Sequence, residues 1–327
     1  MGLGKQRLLK TIGARTMFPR KVGSAWEVSA PAKLNLYLEV LGPRADGFHE
    51  LETLMAPVRI YDQLRWTGSL PGQPAIAPGV TLRTRCGLPM GASEAGIFPS
   101  GDSKNLVLRA AELLARTAGV EPSGRFELYK RIPIQAGLGG GSSDAAAALL
   151  LANAAWGIGY SRRRLAELAA ELGSDVPFFL TPGAAVCRGR GERLEPVAAL
   201  PHLHFVVVKP KVGLSTADVF AQLRDEARAT ARSSSARLKR LLEALGRGAV
   251  GEAGRLMTNR LESAAARLTP WIDRLRGEFA RCGCLGHFMT GSGSAYVGVM
   301  RSARQTRSIA CLLAGMDLGN VLATSSC

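Results

Sequence analysis

From Glu27 to Leu41 apolar and polar residues alternate, with Leu34, Leu36, Leu38 and Val40 on one side and Lys33, Asn35, Tyr37 and Glu39 on the other. A period of two predicts a half-buried strand and turns Lys33 and Asn35 to the face not committed to the core. Pro31 suits the first residues of such a strand. Arg44 to Gly47 has the composition of a turn, Phe48 to Trp66 is again strand-like, and the Gly/Pro-rich stretch from Pro71 to Ser100 predicts loop. Helical spacing then takes over: Leu106, Ala110, Leu113 and Leu114 predict an amphipathic helix over 105–117, stopped by Gly119.

A strand is predicted over 125–132, followed by a glycine-rich segment, an apolar helix from Ser143, and a helix over 162–172 that Gly173 ends. Past Pro182 the pattern predicts a strand at 204–209 and helices near 236–245, 259–268 and 270–282. A hairpin-like pair follows around Thr290 to Ser294, then a last helix over 303–314. Strands mixed with helices in both halves, without regular β-α-β alternation, predict an α+β fold rather than a doubly wound sheet. The expected domains are 26–182 and 183–327, preceded by a basic extension over 1–25 that is expected to be disordered.

Composition narrows the class. A chain of 327 residues, 46% of them hydrophobic, can bury a substantial core. The 38 glycines and 17 prolines follow no fixed period and point to tight turns and backbone-lined pockets. A formal charge of +16 calls for an anionic partner or reflects solvated surface arginine. A nucleic-acid reader would show a basic stripe interleaved with aromatics; aromatic residues are 6% of the chain and the arginines are scattered, so no nucleic-acid partner is expected. The most apolar run, 145–159, is shorter than a bilayer span of about 20 residues, so no membrane association is expected. No obligate protein partner is evident. The six cysteines offer one C-x-C, Cys282 and Cys284, without a second pair to complete a zinc site, and reduced thiols in a cytoplasmic protein are the expectation. His202 and His204 would share one side of a strand, but no third ligand is evident, and the ligands of any metal are left unassigned.

The chemistry concentrates in Pro133-Ile134-Gln135-Ala136-Gly137-Leu138-Gly139-Gly140-Gly141-Ser142-Ser143, between a predicted strand and a predicted helix. Glycine lets backbone approach an anion closely, and the first unpaired N–H groups of a helix, with its dipole, favour negative charge there. The hydroxyls of Ser142 and Ser143 can donate to phosphate oxygens or hold magnesium. The segment lacks the Gly-Lys-Ser/Thr ending of a Walker A loop and the spacing of a dinucleotide fingerprint. Without a ligand, the same glycines would simply permit a tight turn to pack closely.

With this loop the chain resembles the superfamily of galactokinase, homoserine kinase, mevalonate kinase and phosphomevalonate kinase, the GHMP kinases. Pro31-Ala-Lys33-Leu-Asn35-Leu, the glycine loop and Met289-Thr-Gly291-Ser-Gly293-Ser-Ala295 match its three motifs in order. Arg44-Ala-Asp-Gly-Phe48-His49-Glu and Gly173-Ser-Asp175-Val-Pro177-Phe are similar to the branch that acts on a cytidine-diphosphate polyol. The resemblance spans about residues 26 to 300. It implies a ribosomal-protein-S5-like N-terminal domain and a ferredoxin-like C-terminal domain with the active site in the cleft between them. It also implies ATP as co-substrate, magnesium with it, and phosphorylation of the 2-hydroxyl of 4-diphosphocytidyl-2-C-methyl-D-erythritol in the non-mevalonate isoprenoid pathway.

The resemblance further implies roles for single residues. Asp175 would be the base that takes the hydroxyl proton, and Lys33 would keep it ionised and stabilise the transferring group; read alone, Asp175 is a cap or turn residue and Lys33 an exposed strand lysine. Phe48 and Phe220 would bracket a cytosine, His49 would bond its edge, and Asn35 and Thr216 would place the polyol and diphosphate; read alone, the two phenylalanines are core. Lys130 and Asn105 would lie near adenine. The rival readings are another GHMP kinase, acting on homoserine or a mevalonate-type acid, and a non-enzymatic nucleic-acid-binding protein.

Overall fold

The computed structural model describes residues 17–68, 79–87, 104–197, 200–223 and 231–327, apart from the side chains of 231–234. In chain order the elements are β1 (Arg20–Val22), β2 (Ala25–Pro43), β3 (His49–Thr67), β4 (Gly79–Cys86), α1 (Leu106–Ala118), β5 (Ser123–Lys130), α2 (Gly140–Ala155), α3 (Arg162–Leu172), a 3-10 turn (Pro177–Leu180), β6 (Ala185–Gly189), β7 (Arg193–Pro196) and β8 (His204–Lys209). There follow α4 (Thr216–Ala221), α5 (Ala231–Gly246), α6 (Val250–Leu256), β9 (Thr258–Asn259), α7 (Glu262–Leu268), α8 (Trp271–Arg281), β10 (Gly286–Met289), β11 (Tyr296–Met300), α9 (Ala303–Ala314) and β12 (Asn320–Ser325). The chain divides into two compact units: the described residues of Met1–Ala32, Ile60–Ile132 and Gly139–Pro182 form one, and Lys33–Arg59, Pro133–Leu138 and Gly183–Cys327 the other.

In the first unit β1 pairs antiparallel with the start of β2, and the end of β3 pairs antiparallel with β5. Helix α1 packs on α2 and α3. Its ends follow local chemistry: the Asn105 side chain accepts from the Val107 N–H at 3.0 Å, and Gly119 closes the helix in the left-handed region at φ +65°. Helix α2 is apolar all round, and Ala145 through Ala152 are buried without exception, as such a helix requires.

Two expectations change here. The stretch 71–100 is not loop throughout, because β4 runs parallel along β5 from Gly79↔Ser123 to Cys86↔Lys130; residues 71–78 and 88–100 lie outside the described residues. The extension expected to be disordered through residue 25 has regular structure from Arg20 onward, where β1 makes a hairpin with β2, and Met17 ahead of it is buried. Residues 1–16 lie outside the described residues.

In the second unit an antiparallel sheet of order β10-β11-β8-β12 places β8 centrally, and its run Phe205 to Val208 is fully buried, consistent with β-branched residues in a strand covered on both faces. Val206 and Val208 share a hydrophobic cluster with Leu38, Val40, Ile272, Leu275, Phe279 and Met289. The hairpin β6–β7 pairs onto the start of β3, and β9 runs parallel to β2 through Tyr37↔Thr258 and Leu38↔Asn259. That pairing is why the helix expected over 259–268 begins at Glu262.

The face of β2 expected to be uncommitted is not. Lys33 and Asn35 are 3% and 1% exposed, and Tyr37 is fully buried. Alternation marked two chemically different faces, both of them covered.

Candidate active site

The segment from Pro133 to Gly139 leaves β5 in a conformation that local sequence had to permit. Gln135, Gly137 and Gly139 take φ of +50°, +71° and +70°, while Ala136 and Leu138 between them are buried and anchor the turn. Pro133 is buried, Ile134 half-buried and Gln135 exposed. The Lys33 N–H donates to the Leu138 carbonyl at 2.9 Å, and the Ala295 N–H donates to the Ala136 carbonyl at 3.3 Å. A Cβ on Gly137 would stand 2.1 Å from the Thr290 carbonyl oxygen, and one on Gly291 would stand 2.7 Å from the Gly137 carbonyl. Glycine at these two positions therefore serves backbone-to-backbone packing between the loop and the Thr290–Ala295 turn.

Helix α2 starts at Gly140, three residues before the expected Ser143 and directly after Gly139, which caps it without a side-chain bond. Gly140, Gly141 and Ser142 thus form the first turn, where N–H groups lack intrahelical acceptors. Gly141 is exposed and Ser142 half-buried; Ser143 and Asp144 point inward. Ser143 Oγ and Asp144 Oδ1 are buried oxygens without a hydrogen-bond partner.

Beneath that turn the Lys130 ammonium donates to Asp144 Oδ2 at 2.7 Å and to Asp62 Oδ2, and Asp62 Oδ1 accepts the N–H groups of Arg131 and Ile132 at 2.5 and 2.8 Å. Burial pushes Asp144 up to about 8, against the pull of Lys130. Lys130 is opposed by burial but held above its ordinary value by the two carboxylates. One ammonium buried with two carboxylates keeps one acid protonated. Lys130, expected near adenine, has its ammonium engaged under the helix start, and Asn105 acts as the cap of α1.

On β2, Lys33 Nζ donates to Asn35 Oδ1, and Asn35 Nδ2 donates to Thr53 Oγ1 at 2.8 Å, which in turn donates to the Tyr37 carbonyl at 2.5 Å. The Asn35 N–H donates to Thr290 Oγ1 at 2.9 Å. The edge of β2 is therefore occupied in succession by the Leu138 carbonyl, the Thr290 hydroxyl and β9. The same turn reaches α4, where the Thr216 and Ser292 hydroxyls are 2.8 Å apart, and Ser294 Oγ donates to the Val212 carbonyl at 2.5 Å. Within the second unit the structure thus brings together Lys33, Asn35, Ala136 to Leu138, Thr216 and the turn.

Phe220, on α4, lies against His49 with ring centroids 5.0 Å apart and planes tilted by 38°. Phe48 is 53% exposed and carries the Arg190 guanidinium 4.9 Å above its ring. Phe48 is therefore an exposed ring, not core. Asp175 sits half-buried in the first unit, in the turn between α3 and Pro177–Leu180, where the Val176 N–H closes onto the Gly173 carbonyl at 3.2 Å. His202 and His204 meet edge-on at 4.7 Å, and among the described residues no group of three or more His, Cys, Asp or Glu side chains is placed to hold a metal ion. Among the described residues no helix is long and apolar enough to cross a membrane.

Sequence reasoning missed Thr53, Asp62, Asn259, Arg190 and Ser292. Ser292 stands within the third glycine motif and Thr53, Asp62 and Asn259 within predicted elements, but no local pattern gives the partners of these five side chains, which only long-range contacts reveal.

Known proteins resemble this chain in sequence and fold. The profile of the GHMP kinases N terminal domain matches residues 105–183, and that of the GHMP kinases C terminal matches residues 241–311. The chain is 38% identical over 281 residues to 4-diphosphocytidyl-2-C-methyl-D-erythritol kinase of Pelotomaculum thermopropionicum, covering 86% of this chain and 91% of the relative. It is 39% identical over 306 residues to the enzyme of that name from Salinispora arenicola, covering 92% and 91%. A crystal structure of 4-(cytidine 5'-diphospho)-2C-methyl-D-erythritol kinase superposes with a TM-score of 0.70 at 36% identity, covering 92% of this chain and 98% of that one. Homoserine kinase from Cytophaga hutchinsonii, at 22% identity and a TM-score of 0.71, shares the fold. The α+β architecture is thus the two-domain GHMP kinase fold, and the chain belongs to the 4-diphosphocytidyl-2-C-methyl-D-erythritol kinase family of the GHMP kinases.

Proposed function

We infer that this chain transfers the γ-phosphoryl group of ATP to the 2-hydroxyl of 4-diphosphocytidyl-2-C-methyl-D-erythritol, in the cytoplasm and as part of the non-mevalonate isoprenoid pathway. The observation that carries the reading is the convergence of Asn35, Ala136 and Gly137 on one backbone turn, Thr290–Ala295, with Lys33 bonded to Asn35 and to Leu138, while Ser292 of that turn meets Thr216 of α4, the helix that sets Phe220 against His49. Phosphoryl transfer asks a protein mainly for positioning and charge neutralisation. Rigid backbone packing supports the first and a basic chain the second.

In this reading the N–H groups at the start of α2 and the hydroxyl of Ser142 take the ATP phosphates. Asp175 accepts the proton of the 2-hydroxyl as that oxygen attacks the γ-phosphorus. The bond from the γ-phosphorus to the β,γ-bridging oxygen breaks, and ADP leaves. Lys33 stabilises the alkoxide and the charge on the transferring group. The exposed Phe48 ring and Phe220 stack on the cytosine, and His49 bonds its edge. The pair favours a cytidyl substrate over homoserine or a mevalonate-type acid, which offer no ring to stack.

Magnesium would accompany ATP and neutralise charge on its phosphates. The donors present fit an ion carried mainly by the nucleotide: the chain offers hydroxyl oxygens at the helix start, including the unpartnered Ser143 Oγ, and no all-protein cage among the described residues.

The test mixes the purified protein with ATP and the cytidyl substrate and follows ADP release, with homoserine and mevalonate as controls. Turnover of the cytidyl substrate alone is expected. Turnover of a control instead, or tight salt-sensitive nucleic-acid binding without ATP turnover, would overturn the reading.

A further inference from the structure

Asn259 lies at the end of β9, 5% exposed, in a part of the chain that no phosphate, aromatic or carboxylate argument reaches. Its Nδ2 group donates twice, at 2.7 Å to the Met289 carbonyl and at 2.7 Å to the Gly291 carbonyl. Its Oδ1 accepts the Leu261 N–H at 2.9 Å. Two carbonyl acceptors on one side and an N–H donor on the other leave the amide one orientation, since a flipped amide would set oxygen against oxygen. The amide is fully used, and both of its donors go to the strand end and turn that follow β10.

Those carbonyls belong to the segment on which the candidate site converges. Glu262 Oε2 accepts the Met289 N–H at 3.0 Å, so Met289 is gripped at both backbone groups from the short stretch 259–262. On its other side the turn receives the Asn35 N–H at Thr290 Oγ1 and presses on Gly137, while the Lys33 ammonium donates to Asn35. Register pairing of Asn259 with Leu38 ties the same residue to β2. A displacement of the turn therefore passes to Lys33 and to the Ala136–Leu138 loop with no flexible element between.

We propose that Asn259 is a positioning residue for phosphoryl transfer, holding the Thr290–Ala295 turn so that Lys33, Asn35 and the loop keep their reactive geometry. This rests on the kinase reading above. Asn259 touches no substrate group in this reading, so its loss acts on the chemical step more than on binding. Phe48, His49 and Phe220, which the reading assigns to the cytidyl half, have no bond to it.

The informative variant is Asn259→Asp, which keeps its shape and the acceptor for Leu261 but replaces both donors with a carboxylate oxygen facing two carbonyls. Steady-state kinetics for ATP and for the cytidyl substrate are compared with wild type, normalised to sites that bind a non-hydrolysable ATP analogue. kcat is expected to fall about 10- to 100-fold, with both KM values within about threefold. Thr290→Val, which removes the acceptor at the far end of the same chain of bonds, is expected to lower kcat too, and the double variant to lose less than the product of the two. A merely structural Asn259 would reduce the number of binding sites and leave kcat per site unchanged; that result, or full additivity, overturns the proposal. If Asn259→Asp does not fold, Asn259→Ala carries the same comparison, because it removes both donors without setting a charge beside the carbonyls. A wild-type protein that fails to phosphorylate the cytidyl substrate refutes the kinase reading instead, and a wild type that turns over with an equally fast variant refutes the role of Asn259 alone.

Discussion

Substituting Gly137 by alanine tests whether the candidate site depends on backbone packing between the glycine loop and the distant turn. The added Cβ would stand 2.1 Å from the Thr290 carbonyl oxygen, with the Gly293 nitrogen at 3.1 Å. Carbon and carbonyl oxygen ordinarily approach no closer than about 3.3 Å, so the loop and turn must separate by on the order of 1 Å. The backbone at φ +71° adds strain of about 1–2 kcal/mol for a residue with a Cβ. A misplacement of that size at a reacting centre costs about 100-fold, so kcat/KM for ATP is expected to fall by about two orders of magnitude, with a melting temperature a few degrees lower. Gly277→Ala is the control: it lies in α8 with nothing within 4 Å of an added Cβ and no positive φ. It should stabilise the protein by about 0.5–1 kcal/mol and leave the kinetics unchanged. A Gly137→Ala protein with wild-type kcat/KM would show that the loop and the turn are not coupled as described.

Asp175→Asn is expected to abolish phosphorylation while ATP-analogue affinity stays near normal; retained turnover removes Asp175 from the role of base. Phe220→Ala should raise KM for the cytidyl substrate far more than that for ATP, and equal effects on both would count against stacking. Because burial holds Asp144 at about 8 in the fold, well above its ordinary 3.8, the folded state takes its proton more tightly than the unfolded chain does. Its contribution to stability is complete below about pH 4 and declines as pH rises toward 8. Urea unfolding between pH 5 and 8.5 should therefore show falling stability in the wild type and a flatter profile in Asp144→Asn. Parallel profiles would mean that Asp144 is not the protonated member of the set with Lys130 and Asp62.

Much of the local architecture was written in the chain. Helix α9 occupies the residues its pattern predicted, and Asn105, Ser161 and Ser302 cap helices because each side chain reaches an N–H only two or three residues on. The strand–glycine–helix junction at 133–143 was equally legible, since left-handed backbone and a free helix start are demands that glycine meets locally. The α+β class followed from the order of such elements. What the glycines were for was only half legible: helix geometry explains Gly139, whereas the nearby Thr290 carbonyl explains Gly137.

Contacts between residues far apart in the chain lay beyond any local pattern. Alternation along β2 separated two faces but could not say that both are covered, so Lys33 and Asn35 were expected outside and lie inside. Strand β4 was hidden in a Gly/Pro-rich stretch because its order depends on pairing with β5, some forty residues later in the chain. Lys130 read as a lysine available for adenine until Asp62 and Asp144 closed on its ammonium. The sequence by itself determined the elements, their caps and the glycine motifs, since those depend on interactions within a few residues. Tertiary structure alone decided burial, charge pairing and the convergence on the Thr290–Ala295 turn, because each depends on groups that belong to different elements and meet only when the chain folds.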